Sequence, residues 1–196
     1  MKNHSKHKIK PFLLVGLFLV FVLSGCGGRT AGEGELAVNL SESNATAALV
    51  EPAIDAVTGE TSSVLITFNR VAIHKSNGND ADSNWQAVLD NSQPESDRTF
   101  DLITLAQGSF ELIGITDLAA GDYQQVRVGI EKASFTLNGT THPLTIPSGV
   151  TSGLKFNRGF TIEDGETTTL TLDFDANRSI KADGTGYKLD PVIAVR

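Results

Sequence analysis

From Glu35 onward the apolar side chains recur at every second position, in short rows broken by glycine, asparagine and aspartate. Leu36, Val38 and Leu40 make one row; Val64, Ile66 and Phe68 make another. A period of two puts alternate side chains on one face of an extended strand, whereas a helix needs a period of about 3.6. The pattern therefore restricts the chain to an all-β architecture of many short strands, and no amphipathic helix pattern interrupts it.

The apolar set changes parity after Phe68, to Val71 and Ile73, which predicts a bulge near Asn69 and Arg70 before the strand ends at Lys75. Further strands are expected at Trp85–Leu89, Phe110–Ile115, Tyr123–Glu131, Ser134–Leu137, His142–Ile146, Leu154–Ile162, Thr167–Phe174 and Tyr187–Val195. Asn138-Gly139 and Asp164-Gly165 each suit a two-residue type I′ hairpin, in which both central residues need positive φ. Phe100–Leu105 fits either a strand or a helical turn. Glu42–Ser62, rich in Ala, Thr, Ser and Glu, is expected to be a long surface loop. Leu118-Ala119-Ala120-Gly121-Asp122-Tyr123 has the spacing of a tyrosine corner, with Gly121 and Tyr123 as its structural residues at a Greek-key crossover of a β-sandwich.

Ahead of this pattern stand four lysines, Lys2, Lys6, Lys8 and Lys10, and the apolar run Phe12–Leu23. That run is short of the roughly 20 residues that cross a bilayer, and it reads as the core of a signal peptide. Leu23-Ser24-Gly25-Cys26 follows it as a lipobox. Leu23, Ser24 and Gly25 are the signal-peptidase recognition residues, and the Cys26 thiol is the nucleophile that would accept a diacylglyceryl group. Domain organisation is thus read as a signal peptide over 1–25, a flexible lipid-proximal tether over 26–34 and a single β-sandwich domain over 35–196. Cys26 is the sole cysteine, so once it is acylated the fold has no disulfide to draw on.

Removal of the leader takes away four cations and no acid, moving a formal charge of −7 further negative. Such a surface is repelled by phosphates, which excludes nucleic acid as a partner and leaves acyl chains rather than basic patches to hold the membrane. Gly27 stands where an aspartate would retain a lipoprotein at the inner membrane, so the outer membrane is expected in a cell with two membranes.

Candidate chemistry is sparse. Within the domain the histidines are His74 and His142, neither with a second His, Cys or carboxylate at metal-ligand spacing, and no G-x-S-x-G elbow or Gly-rich phosphate loop occurs. Catalytic residues and a resident metal are accordingly not expected, and no cofactor beyond the lipid on Cys26. Asn77, Asp80 and Asp82 offer oxygen ligands of the kind Ca²⁺ takes, but without the glycine and distal glutamate of an EF-hand loop, and a solvated hairpin loop is the plainer account. Asp173, Asp175 and Asn177 alternate with Phe174 and Ala176, which reads as an outward polar face ending in an Asx turn. Trp85, Tyr123 and Tyr187 are too few for a flat sugar-stacking platform, and Trp85 is expected in the core or at its rim. Three glycosylation sequons, beginning at Asn44, Asn138 and Asn177, are chance matches behind a bacterial lipobox.

Several strings taken in order resemble a bacterial and archaeal lipoprotein family catalogued as domain of unknown function 4382. They are Gly34-Glu35-Leu36-Ala37-Val38, Thr99-Phe100-Asp101-Leu102, Leu118 to Val128, Leu144 to Gly149, Leu172 to Ala176 and Leu189 to Ile193. The resemblance implies an immunoglobulin-like or transthyretin-like β-sandwich outside the cytoplasm and brings no catalytic residues. The chain departs from the family at Ser41-Glu42, where an Asp-Ala-Pro type turn is replaced and a longer insertion follows. The expectation is a lipid-anchored cell-envelope module, not an enzyme, that binds an envelope protein or glycan through loops at Asn77–Asn84, Pro147–Gly153 and Glu42–Ser62. Its rivals are a passive envelope component and a hydrolase assembled around His74 or His142. Oligomeric state is left open.

Overall fold

The computed structural model describes residues 32–43, 61–76, 84–105 and 108–196. Among these residues twelve strands form two sheets. The four-stranded sheet contains β12 (Ile193–Val195), β9 (Thr167–Phe174), β1 (Glu33–Glu42) and β5 (Glu111–Ala119), in that order. In the eight-stranded sheet the order is β10 (Ile180–Asp183), β11 (Gly186–Leu189), β7 (Thr140–Thr145), β6 (Gly121–Leu137), β2 (Thr61–Lys75) and β3 (Trp85–Asp90). Two more strands extend it: β4 (Thr99–Asp101) pairs with β2, and β8 (Leu154–Ile162) with β6. The alternating rows turn inward from both sheets. Leu36, Val38 and Leu40 of one meet Val64, Ile66 and Phe68 of the other in a single core, each at most 1 % exposed.

The parity change in β2 has the expected cause, and a partner. Phe68 faces Ile130 and Arg70 faces Gly129, so Asn69 is an extra residue on β2, while Glu131 is extra on β6 between Ile130 and Lys132. The two bulges compensate, which lets β6 run unbroken through the stretch expected to split into Tyr123–Glu131 and Ser134–Leu137. The reverse holds at the other end, where Tyr187–Val195 divides into β11 and β12 because the chain changes sheet between them. Phe100–Leu105 turns out to be both alternatives in series, β4 and then a 3-10 turn over Leu102–Leu105.

Asn138 and Gly139, with φ of 49° and 75°, make the two-residue turn between β6 and β7. Asp164-Gly165 does not make a hairpin. Only Gly165 has positive φ, as in a type II turn, and the segment carries the chain from β8 in one sheet to β9 in the other. That turn clasps the start of β1, with Glu35 N donating to Glu166 O at 2.8 Å and Gly165 N to Glu33 O at 2.9 Å. Glu33 and Gly34 consequently lie within β1. At the β5–β6 crossover the Tyr123 hydroxyl donates to Ala119 O, four residues back, at 2.9 Å, and the ring is 1 % exposed. Gly121 sits there with φ of 134°.

Two short helices escaped the periodicity reading. The first, α1 (Ser148–Ser152), occupies the expected Pro147–Gly153 loop, and the second, α2 (Ala176–Ser179), links β9 to β10. Both are too short to show a helical repeat. Of the residues expected in the Glu42–Ser62 loop, Glu42 instead ends β1, and Thr61 and Ser62 belong to β2. The interior of that loop lies outside the described residues.

Candidate functional site

At the end of the four-stranded sheet remote from the β1 start, a cleft of about 410 Å³ opens between Ser41, Glu42, Asp173, Phe110 and Arg196. A second hollow of about 360 Å³ adjoins it and shares Ser43, Asp173 and Arg196. Parallel pairing of β1 with β9 builds the site, since that register sets Ser41 beside Asp173 and Glu42 beside Phe174. Inward residues Leu170, Leu172 and Phe174 are locked in the core, so Asp173 must point to the outer face.

Asp173 and Asp175 were expected on a solvated face, and both are buried, at 5 % and 4 % exposed. Each has a reason. One Asp173 oxygen accepts from Ser41 Oγ at 3.0 Å and the other lies 2.7 Å from Arg196 Nη2, whose exposed side chain covers it. Asp175 caps α2 by accepting from Arg178 N at 3.0 Å, the Asx turn of the expectation, and its own N–H donates to Val192 O at 2.9 Å. Glu42 accepts from Ala176 N with both oxygens, at 3.1 and 3.3 Å. Three carboxylates are thus held in one region by backbone N–H groups, one hydroxyl and a guanidinium, which is how buried charge is tolerated. Ser43 Oγ donates to Phe174 O at 3.3 Å on the same wall.

Phe110, 62 % exposed, lines the same cleft. The site therefore offers fixed carboxylate oxygens, guanidinium donors, hydroxyls and one open aromatic face. Chemically it can hold a polar molecule that also has an apolar side. Sequence reasoning singled out Asp173, Asp175 and the Ser41-Glu42 departure separately. It missed Arg196 and Phe110, for which the chain carries no local signal.

The histidines lie elsewhere. His74 is 2 % exposed and its ring centroid is 4.9 Å from that of Trp85, half-buried at the rim, over which the Arg127 guanidinium sits at 4.1 Å. His142 packs between Phe135 and Tyr187, with ring centroids 5.1 and 5.5 Å away. Neither lines the cleft. Among the described residues no group of three or more His, Cys, Asp or Glu side chains could hold a metal ion. Asn77, Asp80 and Asp82 lie outside the described residues, as do Leu23, Ser24, Gly25 and Cys26. No described helix is long and apolar enough to cross a membrane.

No curated protein and no solved structure matches the chain. A family model does, over residues 46–191, most of the two-sheet domain. The chain belongs to the family described as Domain of unknown function (DUF4382).

Proposed function

We propose that this protein is a lipid-anchored cell-envelope module with an immunoglobulin-like fold that binds an envelope glycan, without catalysing its conversion. The observation that carries the reading is one cleft lined both by the exposed Phe110 and by the Asp173–Arg196 pair. Sugars present both features to a partner: C–H faces that pack on an aromatic ring, and hydroxyls that bond to carboxylate and guanidinium groups. Binding is favoured over hydrolysis because Glu42 and Asp175 are committed to backbone N–H groups and Asp173 to Ser41 and Arg196, leaving none placed as a general acid. The Tyr123–Ala119 bond at the crossover supports the immunoglobulin-like assignment over the transthyretin-like one.

Anchoring rests on the lipobox. From Cys26 to Glu33 the chain can span at most about 25 Å, so a lipid on that sulfur keeps the domain at the bilayer. Mass spectrometry of the membrane-purified protein tests this. A mature amino terminus at an acylated Cys26 is expected, and one still at Met1 would refute it. The binding reading is tested by co-sedimentation of the full chain with purified envelope polysaccharide. Phe110→Ala and Asp173→Ala are expected to weaken retention at least tenfold while Lys132→Ala leaves it unchanged. Retention that is indifferent to both cleft substitutions would overturn the site, and retention of an envelope protein instead would overturn the glycan.

A further inference from the structure

Among the described residues the four-stranded sheet guards one edge and leaves the other open. On the β12 side the edge strand is three residues long, preceded by Pro191 and followed by Arg196, all features that discourage pairing with another chain. The β5 edge is nine residues long and contains no lysine, arginine or proline. Among the described residues β5 is paired on one side only, with β1.

A bulge shapes this edge. Leu112 faces Asn39 and Gly114 faces Val38, so Ile113 is the extra residue and is buried at 6 %. Ile115 faces Ala37. Because Ala37 and Asn39 share the outer face of β1, the bulge brings both Leu112 and Ile115 to that face, where they are 49 % and 52 % exposed. Without the extra residue their odd spacing would send one of them inward.

The geometry points to a second copy of this chain as the occupant of the β5 edge, the two β5 strands pairing antiparallel about a two-fold axis between Ile113 and Gly114. In that register Leu112 of each copy lies opposite Ile115 of the other on the outer face, so each exposed side chain is covered once and the pair occurs twice. Glu111 then faces Thr116, and Asp117 faces Phe110. Charge and apolar cover together select this register over its neighbours. Centring the axis on Gly114 sets Glu111 directly against Asp117, and centring it on Ile113 sets Glu111 against Ile115 and leaves Leu112 opposite a glycine. Charge also disfavours a lipid surface as the occupant. Laying this face on headgroups would press Glu33, Glu35 and Asp117 of the same face against them.

The register is read by cross-linking in the full chain. Leu112→Cys and Ile115→Cys variants mixed in equal amounts are expected to give a disulfide-linked dimer on mild oxidation, and each variant alone is not, since identical positions lie about three residues apart along the strands. Any pairing through Cys26 appears in the wild type and is subtracted. In sedimentation of the wild-type chain a monomer–dimer equilibrium is expected, and Leu112→Lys with Ile115→Lys should weaken it at least tenfold. No mixed-variant band above the single-variant controls would overturn the proposal. So would a chain that stays monomeric, or a lysine variant that dimerises like the wild type. Protection of both cysteines from maleimide by phosphatidylcholine vesicles without cross-linking would replace the second copy by a lipid surface. Asp173→Ala, on β9 and away from the β5 edge, should leave dimerisation unchanged while weakening glycan retention, so the glycan reading and this one fail separately.

Discussion

Replacing Arg98 tests how the paired bulges are held. On the edge of β2 opposite β6, β4 pairs with Leu65–Thr67 and β3 with Arg70–His74, which leaves Phe68 and Asn69 in a gap between two short strands. Arg98 ends the 3-10 turn that joins those strands and fills the gap. Its Nη1 donates to Phe68 O and, at 3.1 Å, to Glu131 Oε1, the residue that bulges on β6; Nε donates to Gln93 O at 3.1 Å. The side chain is 7 % exposed and that of Glu131 24 %. Arg98→Met keeps the apolar stem and removes the fork. The buried Phe68 carbonyl would then lack this donor, a cost of about 1–3 kcal/mol, and the partly buried Gln93 carbonyl would add about 1 kcal/mol. Glu131, a quarter exposed, regains water and adds little. The expected loss is about 3 kcal/mol, which for a domain of this size is a fall in Tm of roughly 6–12 °C. Urea unfolding of the full chain followed by circular dichroism measures it through a lower midpoint at unchanged slope. Arg98→Lys should recover the charge but not the fork, and so less than half of the loss. A methionine variant within about 1 kcal/mol of wild type would show that the bulge needs no donor from outside the sheet.

The tyrosine corner gives a pH-dependent prediction. Burial pushes the Tyr123 hydroxyl above its ordinary value of 10.0, so the fold favours the neutral form. Its contribution is complete below about pH 10 and is lost as pH rises further, because the unfolded chain ionises first. Tyr123→Phe should therefore cost about 1 kcal/mol at pH 7, with a gap to wild type that narrows by pH 11 in parallel urea melts. An unchanged gap would refute it. At the start of β1, a Cβ on Gly34 would lie 2.2 Å from Glu163 O, inside the turn that clasps the strand. Gly34→Ala is expected to destabilise by about 1–3 kcal/mol in the same assay, whereas Gly149→Ala, with nothing within 4 Å of its Cβ, should fall within about 0.5 kcal/mol of wild type.

What the sequence reveals of this fold is what neighbouring residues decide among themselves. The rows of β1, β8 and β9 and the bulge at Asn69 are legible because parity is a local property. The Asp164-Gly165 signal shows the limit of that logic. It marks a turn correctly, but whether the chain then pairs back or crosses to the other sheet depends on strands far away, and here β9 is drawn across to lie parallel to β1. The same distant choice makes the cleft. Asp173 alternates with core residues exactly as an exposed carboxylate would, and nothing within its own strand distinguishes burial from exposure. It becomes buried because Ser41, 132 positions away, arrives beside it and Arg196 folds over it. β10 stayed hidden for a related reason, since Ile180 and Ala182 alternate with charged neighbours over too few residues to form a row. Cys26 is the opposite case, a residue whose proposed role is read by enzymes from the linear string around it, and so is legible without any fold. The proposed anchoring and the proposed binding thus draw on different kinds of information, and only the first is argued without knowing which strands meet.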